Sequence, residues 1–305
     1  MKKKKEQKSS LIQIETSDGL TLPGIFYEVP QSKKAAIFLH GNGSASVFYK
    51  DDFRGGQAKA LQAQSIATLL FNNRGAHYIK SLHVKKKNGE EERELFGMTF
   101  EKIKDCVFDI DAAVTFLKKL GYTEFYLVGE STGANKICVY DHYKKDNLIA
   151  KYILLGGGDD TGIYYDILGK ECFNRLLKEA KEKIAQKKGK ELIAELLPDD
   201  FFSYQAFYDT ANPDGDYNTF PFLEALRGVK LSQKKRFRYF QAIRKPTLVV
   251  YGESDQYLWG ELPRIISILR EKQPDATYAT IPNADHGLSG HQKEVGKLIA
   301  QWLSK

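Results

Sequence analysis

The stretch Glu124-Phe125-Tyr126-Leu127-Val128-Gly129-Glu130-Ser131-Thr132-Gly133 decides how the chain is read. It begins as a short apolar run of the kind found in a strand buried on both faces, and residues 132–143 carry a helical pattern. Between the two lies Gly129-Glu130-Ser131-Thr132-Gly133, a G-x-S-x-G pattern in the strand-to-helix context that the motif demands. Such a turn lifts the serine hydroxyl above the end of a sheet. Gly129 and Gly133 omit the Cβ atoms that would strike the turn and its neighbours. The N–H groups opening the helix then face any oxyanion that forms beside Ser131. A serine N-cap beside glycine-rich packing is the plainer alternative.

The same rhythm repeats on either side. Residues 11–16 and 20–28 flank Ser17-Asp18-Gly19, which predicts an antiparallel hairpin at the start. Residues 35–40 predict a buried strand ending in His40-Gly41-Asn42-Gly43-Ser44, a glycine-rich loop. Residues 57–64 predict a helix and 65–71 the next strand. Residues 73–96 show little apolar periodicity and a very polar middle, and are read as an exposed loop. Phe100, Ile103, Cys106, Val107, Ile110, Ala113, Val114 and Leu117 then recur at helical spacing, and Gly121 stops that helix. A strand at 150–155 closes in Gly156-Gly157-Gly158. Strand, helix, strand and helix resume at 246–251, 262–269, 277–281 and 292–303. This alternation predicts an α/β fold, a mostly parallel doubly wound sheet. The intervening segment is helical and aromatic-rich without a convincing strand. The expected organisation is therefore a core of residues 1–158 and 245–305 interrupted by a helical cap insertion at 159–244.

Composition narrows the class. The 305 residues, 42% hydrophobic and 28% charged, suit one large globular α/β domain with an insertion, or two small domains. No apolar run approaches the roughly 20 residues that cross a bilayer. Residues 1–10 hold lysines without the apolar stretch of a secretion signal, so a cytoplasmic location is expected. The net charge of +7 is scattered: lysines 2–5 at an end expected to be disordered, lysines 85–87 in the polar loop, and the basic run Lys234 to Arg238 in a later helix. Lysines between Lys178 and Lys190 alternate with Glu179, Glu182 and Glu191, as on a solvated helix face. No nucleic-acid or membrane partner is expected. Cys106, Cys138 and Cys172 leave an odd thiol with no CxxC spacing, which suggests neither a disulfide framework nor a zinc site; Cys106 and Cys138 are expected to be buried.

On its strand–Gly129-to-Gly133–helix unit, with acid and histidine candidates following later strands, the sequence resembles the α/β-hydrolase superfamily over nearly its whole length, the cap excepted. The resemblance implies a serine, acid, histidine order. Ser131 would be the nucleophile. Asp255, three residues after Gly252, would be the acid, with Glu253 as a nearer alternative and Asp159 or Asp160 standing where some relatives take it from the preceding strand. Of the six histidines, His286 alone combines a strand-end position with the right order, and Asp285 reads as a loop-shaping neighbour. The oxyanion donors would be the backbone N–H groups of Asn42 and Thr132, with Gly43 in reserve and His40 structural. The reaction implied is acyl transfer to water, needing neither metal nor organic cofactor.

Glu130 gives the G-E-S-x-G form common in carboxylesterase-like relatives, which favours a small-molecule ester. The Ser-Thr-Gly before the helix is also similar to a group that includes siderophore esterases, with departures at Glu130, where that group has histidine, and in the loop after Asn73. An aspartate nucleophile would have suggested a dehalogenase or epoxide hydrolase; this chain has serine. Tyr164, Tyr165, Phe201, Phe202, Tyr204, Phe207 and Tyr208 suggest either apolar substrate walls or plain cap core. An acyltransferase, a peptidase, or a non-catalytic binding protein on the same fold are the alternatives.

Overall fold

A computed structural model describes residues 9–43, 45–49 and 51–305. The lysines at 2–5 and residue 44 of the glycine-rich loop lie outside the described residues. In chain order the strands are β1 (Ser9–Glu15), β2 (Thr21–Tyr27), β3 (Lys34–Leu39), β4 (Ile66–Phe71), β5 (Lys80–Lys85), β6 (Glu91–Phe96), β7 (Glu124–Glu130), β8 (Ile149–Leu155), β9 (Thr247–Gly252) and β10 (Thr277–Ile281). Eight of them form one sheet in the order β1-β2-β4-β3-β7-β8-β9-β10. The β1–β2 and β2–β4 pairs are antiparallel and the rest are parallel. The doubly wound sheet and its antiparallel opening hairpin are as the sequence predicts.

The central strands are covered on both faces, so nearly every position is apolar rather than every second one. Along β3, Ala35, Ile37 and Leu39 point into one layer and Ala36 and Phe38 into the other. The first layer is closed by α2 (Cys106–Lys119), α3 (Thr132–Tyr143) and α7 (Leu262–Lys272) through Ile110, Ile137 and Ile265. The second is closed by α1 (Asp51–Ala63) and α8 (Gln292–Leu303) through Leu61, Val295 and Ile299. The chain leaves β3 for β4 on one side and later enters β7 on the other. The carboxyl ends of β3 and β7 thus flank a topological switch point, where open α/β sheets hold their ligands.

Between β8 and β9 run α4 (Asp160–Ala185), α5 (Tyr204–Ala211) and α6 (Phe222–Arg227). Phe173, Leu176, Phe202 and Phe207 bury one another with Met98 in a core of their own. Phe202 and Phe207, weighed above as substrate walls, are 1% and 0% exposed and pack this layer instead. Cys106 and Cys138 are buried, and burial pushes both thiols up. Among the described residues no helix is long and apolar enough to cross a membrane.

Two expectations are corrected. Residues 73–96 are not simply a loop: β5 and β6 form a separate antiparallel hairpin. One face (81, 83, 85, 91, 93, 95) is exposed throughout and the other carries only Leu82, Val84 and Phe96 among polar residues, so the apolar alternation is short; ion pairs such as Lys86 with Glu94 (2.8 Å) add to it. Residues 234–238 are not helical. Their basic side chains instead cap carbonyls, with Arg236 Nη1 donating to Glu224 O (3.0 Å) and Lys234 Nζ to Asp214 O (2.6 Å).

Candidate active site

Ser131 sits between β7 and α3 with φ 54° and ψ −123°, a conformation that costs a non-glycine residue about 1–3 kcal/mol. Its surroundings impose it. The Ser131 N–H donates to Leu155 O on β8 (2.8 Å), and Ser131 O accepts from the Ala134 N–H (2.8 Å). A Cβ on Gly129 would lie 2.3 Å from Gly133 O, and one on Gly133 would lie 2.3 Å from Leu39 O. The two motif glycines therefore let β7, α3 and the end of β3 meet backbone to backbone.

Two further loops converge on the hydroxyl. His286, after β10, accepts from Ser131 Oγ at Nε2 (2.9 Å) and donates from Nδ1 to Asp255 Oδ2 (2.9 Å). A carboxylate can only accept, so the proton belongs on Nδ1 and Nε2 is free to take the serine proton. Asp255, after β9, has a side chain only 1% exposed, and its Oδ1 accepts from the Tyr257 N–H (3.0 Å). The Tyr257 ring meets the imidazole edge-on at 4.7 Å. Burial acts to lower the His286 pKa. The hydrogen bond and charge of Asp255, with the charges of Asp160 and Glu130, outweigh it and hold the imidazole above its ordinary value.

The loop after β3 lies against the same serine: a Cβ on Gly41 would come within 2.9 Å of Ser131 Cβ. His40 is buried and bonded on both ring nitrogens, to Gly41 O through Nδ1 (2.7 Å) and to the Asn73 N–H through Nε2 (3.2 Å). Since Nε2 must accept there, Nδ1 donates. It draws the Gly41 carbonyl towards the ring and turns the Asn42 N–H of the same trans peptide the other way. Thr132 N–H, at the start of α3, is among those that find no partner within a helix.

Behind this loop lies a buried polar chain that sequence reasoning missed. Lys136, one turn into α3, pairs with Glu101 at 2.6 Å, their side chains 1% and 4% exposed. Lys136 Nζ also donates to Asn73 Oδ1 (3.2 Å), whose N–H meets His40. Lys80 Nζ donates to Asn73 O (3.1 Å), and burial pushes that ammonium down to about 8. No local pattern announces these contacts, because the partners lie 35 and 63 positions from Lys136.

The other candidates do different work. Glu253 accepts from the Asn283 N–H (3.0 Å) and Asp285 from the Ser289 N–H (2.8 Å), each shaping a loop. Asp159 accepts from Gly162 N–H (2.7 Å) and Leu223 N–H (2.8 Å), stitching α4 to α6; burial pushes its carboxyl up to about 7. Asp160, half-buried, opens α4; burial raises it to about 6, against the pull of His286. His291 pairs with Glu294 at 3.1 Å, and His142 stacks on Tyr239 at 4.0 Å. Among the described residues no group of three His, Cys, Asp or Glu is arranged to hold a metal.

Similar solved structures include the esterase Pf2001 of Pyrococcus furiosus, at 16% identity and TM-score 0.56 over 98% of this chain and 91% of that one. Est1E of Butyrivibrio proteoclasticus gives 16% and 0.57 over 96% and 97%. The carboxylesterase CesB of Bacillus subtilis gives 16% and 0.53 over 98% and 92%. At such identities the likeness is one of fold. No curated protein matches the sequence. The family model described as serine aminopeptidase, S33, matches residues 30–293, a span holding all three of the side chains that meet at Ser131. That match shows that this chain belongs to the serine aminopeptidase S33 family of α/β-hydrolases.

Proposed function

We propose that the chain is a serine hydrolase that cleaves carboxylic esters of small to medium size through an acyl-enzyme. The observation that carries this is the unbroken line from Ser131 Oγ through His286 to Asp255, with both hydrogen bonds at 2.9 Å. Ser131 Oγ attacks the ester carbonyl carbon as Nε2 takes its proton. The oxyanion accepts from the N–H groups of Asn42 and Thr132, each worth roughly 3 kcal/mol in the transition state. His286 gives the proton to the departing alkoxide, which leaves as alcohol with the acyl group on Oγ. Water, deprotonated by Nε2, then attacks the acyl carbon; the intermediate collapses, Oγ regains the proton, and the acid departs.

Glu130 in the G-E-S-x-G form supports an ester, and so do the structural neighbours, among them an esterase and a carboxylesterase. Residues 159–244 act in this reading as a cap over the core of 1–158 and 245–305. Three free thiols suit a reducing cytoplasm. A peptidase is the second reading, favoured by the family's own description.

The test is a fluorophosphonate probe with a p-nitrophenyl ester panel of graded acyl length and aminoacyl p-nitroanilides. Labelling at Ser131 and turnover of short to medium esters, both absent in Ser131→Ala, is the expected result. Faster turnover of the anilides would transfer the reading to a peptidase, and capture of the acyl group by an added alcohol to a transferase. No labelling and no turnover would leave a binding protein.

A further inference from the structure

Tyr217 lies between α5 and α6, in the segment that separates β8 from β9, yet its hydroxyl ends beside the nucleophile turn. It accepts from Asn42 Nδ2 (3.0 Å) and donates to Thr132 Oγ1 (3.3 Å). These partners stand 175 and 85 positions away, one on the loop after β3 and one at the start of α3. They are also the two residues whose backbone N–H groups form the oxyanion hole in the reading above. We infer that Tyr217 is a positioning residue of that hole: one cap hydroxyl, bonded to the side chains of both donors, sets the spacing of their backbone N–H groups.

Three observations make the hydroxyl a fixed strut. Tyr217 is 3% exposed, and burial holds its phenol well above the ordinary range, so it stays a neutral O–H. The Asn42 amide has a buried Oδ1 without a partner among the described residues, so the bond to Tyr217 orients that side chain. The turn around Tyr217 is itself tied down. Thr219 N–H donates to Tyr217 O (2.7 Å), Asn218 Nδ2 donates to Pro213 O (2.8 Å), and Phe220 packs where a Cβ on Gly157 would come within 2.7 Å. An oxyanion hole acts through donors held in place before charge develops, and small displacements weaken it. The loop after β3 and the helix α3 belong to different elements. The tyrosine joins them on the side facing the cap.

The inference rests on the hydrolase reading, and the experiment separates the two. Wild type, Tyr217→Phe, Asn42→Ala and the double variant are compared on p-nitrophenyl acetate, with active sites counted by fluorophosphonate titration. Affinity for a trifluoromethyl ketone analogue of the tetrahedral state is measured alongside. Tyr217→Phe is expected to lower kcat per titrated site about tenfold or more, with KM moving less than about threefold and analogue affinity falling in step. Asn42→Ala keeps its backbone N–H but cuts the same bond. It is expected to show the same loss, and the double variant little more than either single. A purely structural tyrosine would lower the titratable fraction or the melting temperature and leave kcat per titrated site unchanged; that result overturns the inference and leaves the hydrolase standing. Should Tyr217→Phe fail to fold, Asn42→Ala carries the test, and wild-type kcat there overturns it equally. A wild type that neither labels nor hydrolyses removes both.

Discussion

Replacing Gly133 by alanine tests the geometry of the turn that carries Ser131 most directly. The added Cβ would lie 2.3 Å from Leu39 O, 2.9 Å from Leu39 C and 3.2 Å from His40 O. Ordinary contact begins near 3.4 Å, so a shift of about 1 Å is required, and every atom met is backbone rather than a side chain that can swing aside. Leu39 is bound into the sheet by its pairing with Gly129, which leaves α3 or the loop after β3 to move. Overpacking a tight core costs about 1–3 kcal/mol, and with two backbones opposed the upper end is expected. Because Leu39 leads into His40, Gly41 and Asn42, the displacement falls on the loop against Ser131. A misplacement of about 1 Å at a reacting centre costs on the order of 100-fold in rate. Urea unfolding followed by circular dichroism gives the first quantity, and ester turnover per fluorophosphonate-titrated site gives the second. A variant with the wild-type urea midpoint and wild-type turnover would refute the claim that these backbones are in forced contact.

Three further outcomes follow from the same geometry. Asp255→Asn can no longer hold the proton on His286 Nδ1 and is expected to lose roughly 1,000- to 10,000-fold in kcat while remaining folded, measured with the ester panel. Asp160→Asn removes a charge that helps to raise the His286 pKa. Since Nε2 must be unprotonated to act, the acidic limb of kcat/KM is expected to move to lower pH, and an unmoved limb in a full pH profile would count against it. Lys136→Met strands the Glu101 carboxylate, 4% exposed, and is expected to cost about 3–5 kcal/mol by urea unfolding; adding Glu101→Met should restore much of the loss, because the pair's desolvation is then removed too.

How far the fold can be read in advance depends on how much of each element is buried. β4 and β9 are buried along their whole length, and their unbroken apolar runs give them away. The hairpin β5–β6 is solvated on most positions and offers no such run. Its local signals are the brief alternation of Leu82 and Val84 and the pair Asn88-Gly89, with Gly89 at φ 87°, suited to a tight hairpin turn. Residues 234–238 look helical by composition, but their basic ends are drawn off by a carbonyl of α6 and one of the loop before it. At the site, Ser131, Asp255 and His286 can be picked out because each follows an apolar strand in a fixed order. Tyr217, Lys136 and Glu101 cannot, since each meets its partner only after distant segments pack, and their residue types are common everywhere.

The stretch between β8 and β9 leaves and rejoins the sheet on neighbouring strands, Tyr152 pairing with Thr247 and Leu155 with Val250. Because the two strands are parallel, the chain leaves at the carboxyl end of β8 and rejoins at the amino end of β9, so the stretch must return along the sheet whatever its length. The stretch is tied to the rest at several points, Ile103 N–H donating to Asp209 (2.7 Å) and Thr99 Oγ1 to Phe201 O (2.8 Å), and a replacement that also brings no hydroxyl to the spot between residues 42 and 132 would lack the brace inferred for Tyr217. Grafting a different segment between β8 and β9 would then have to match both strand ends and deliver that hydroxyl as well.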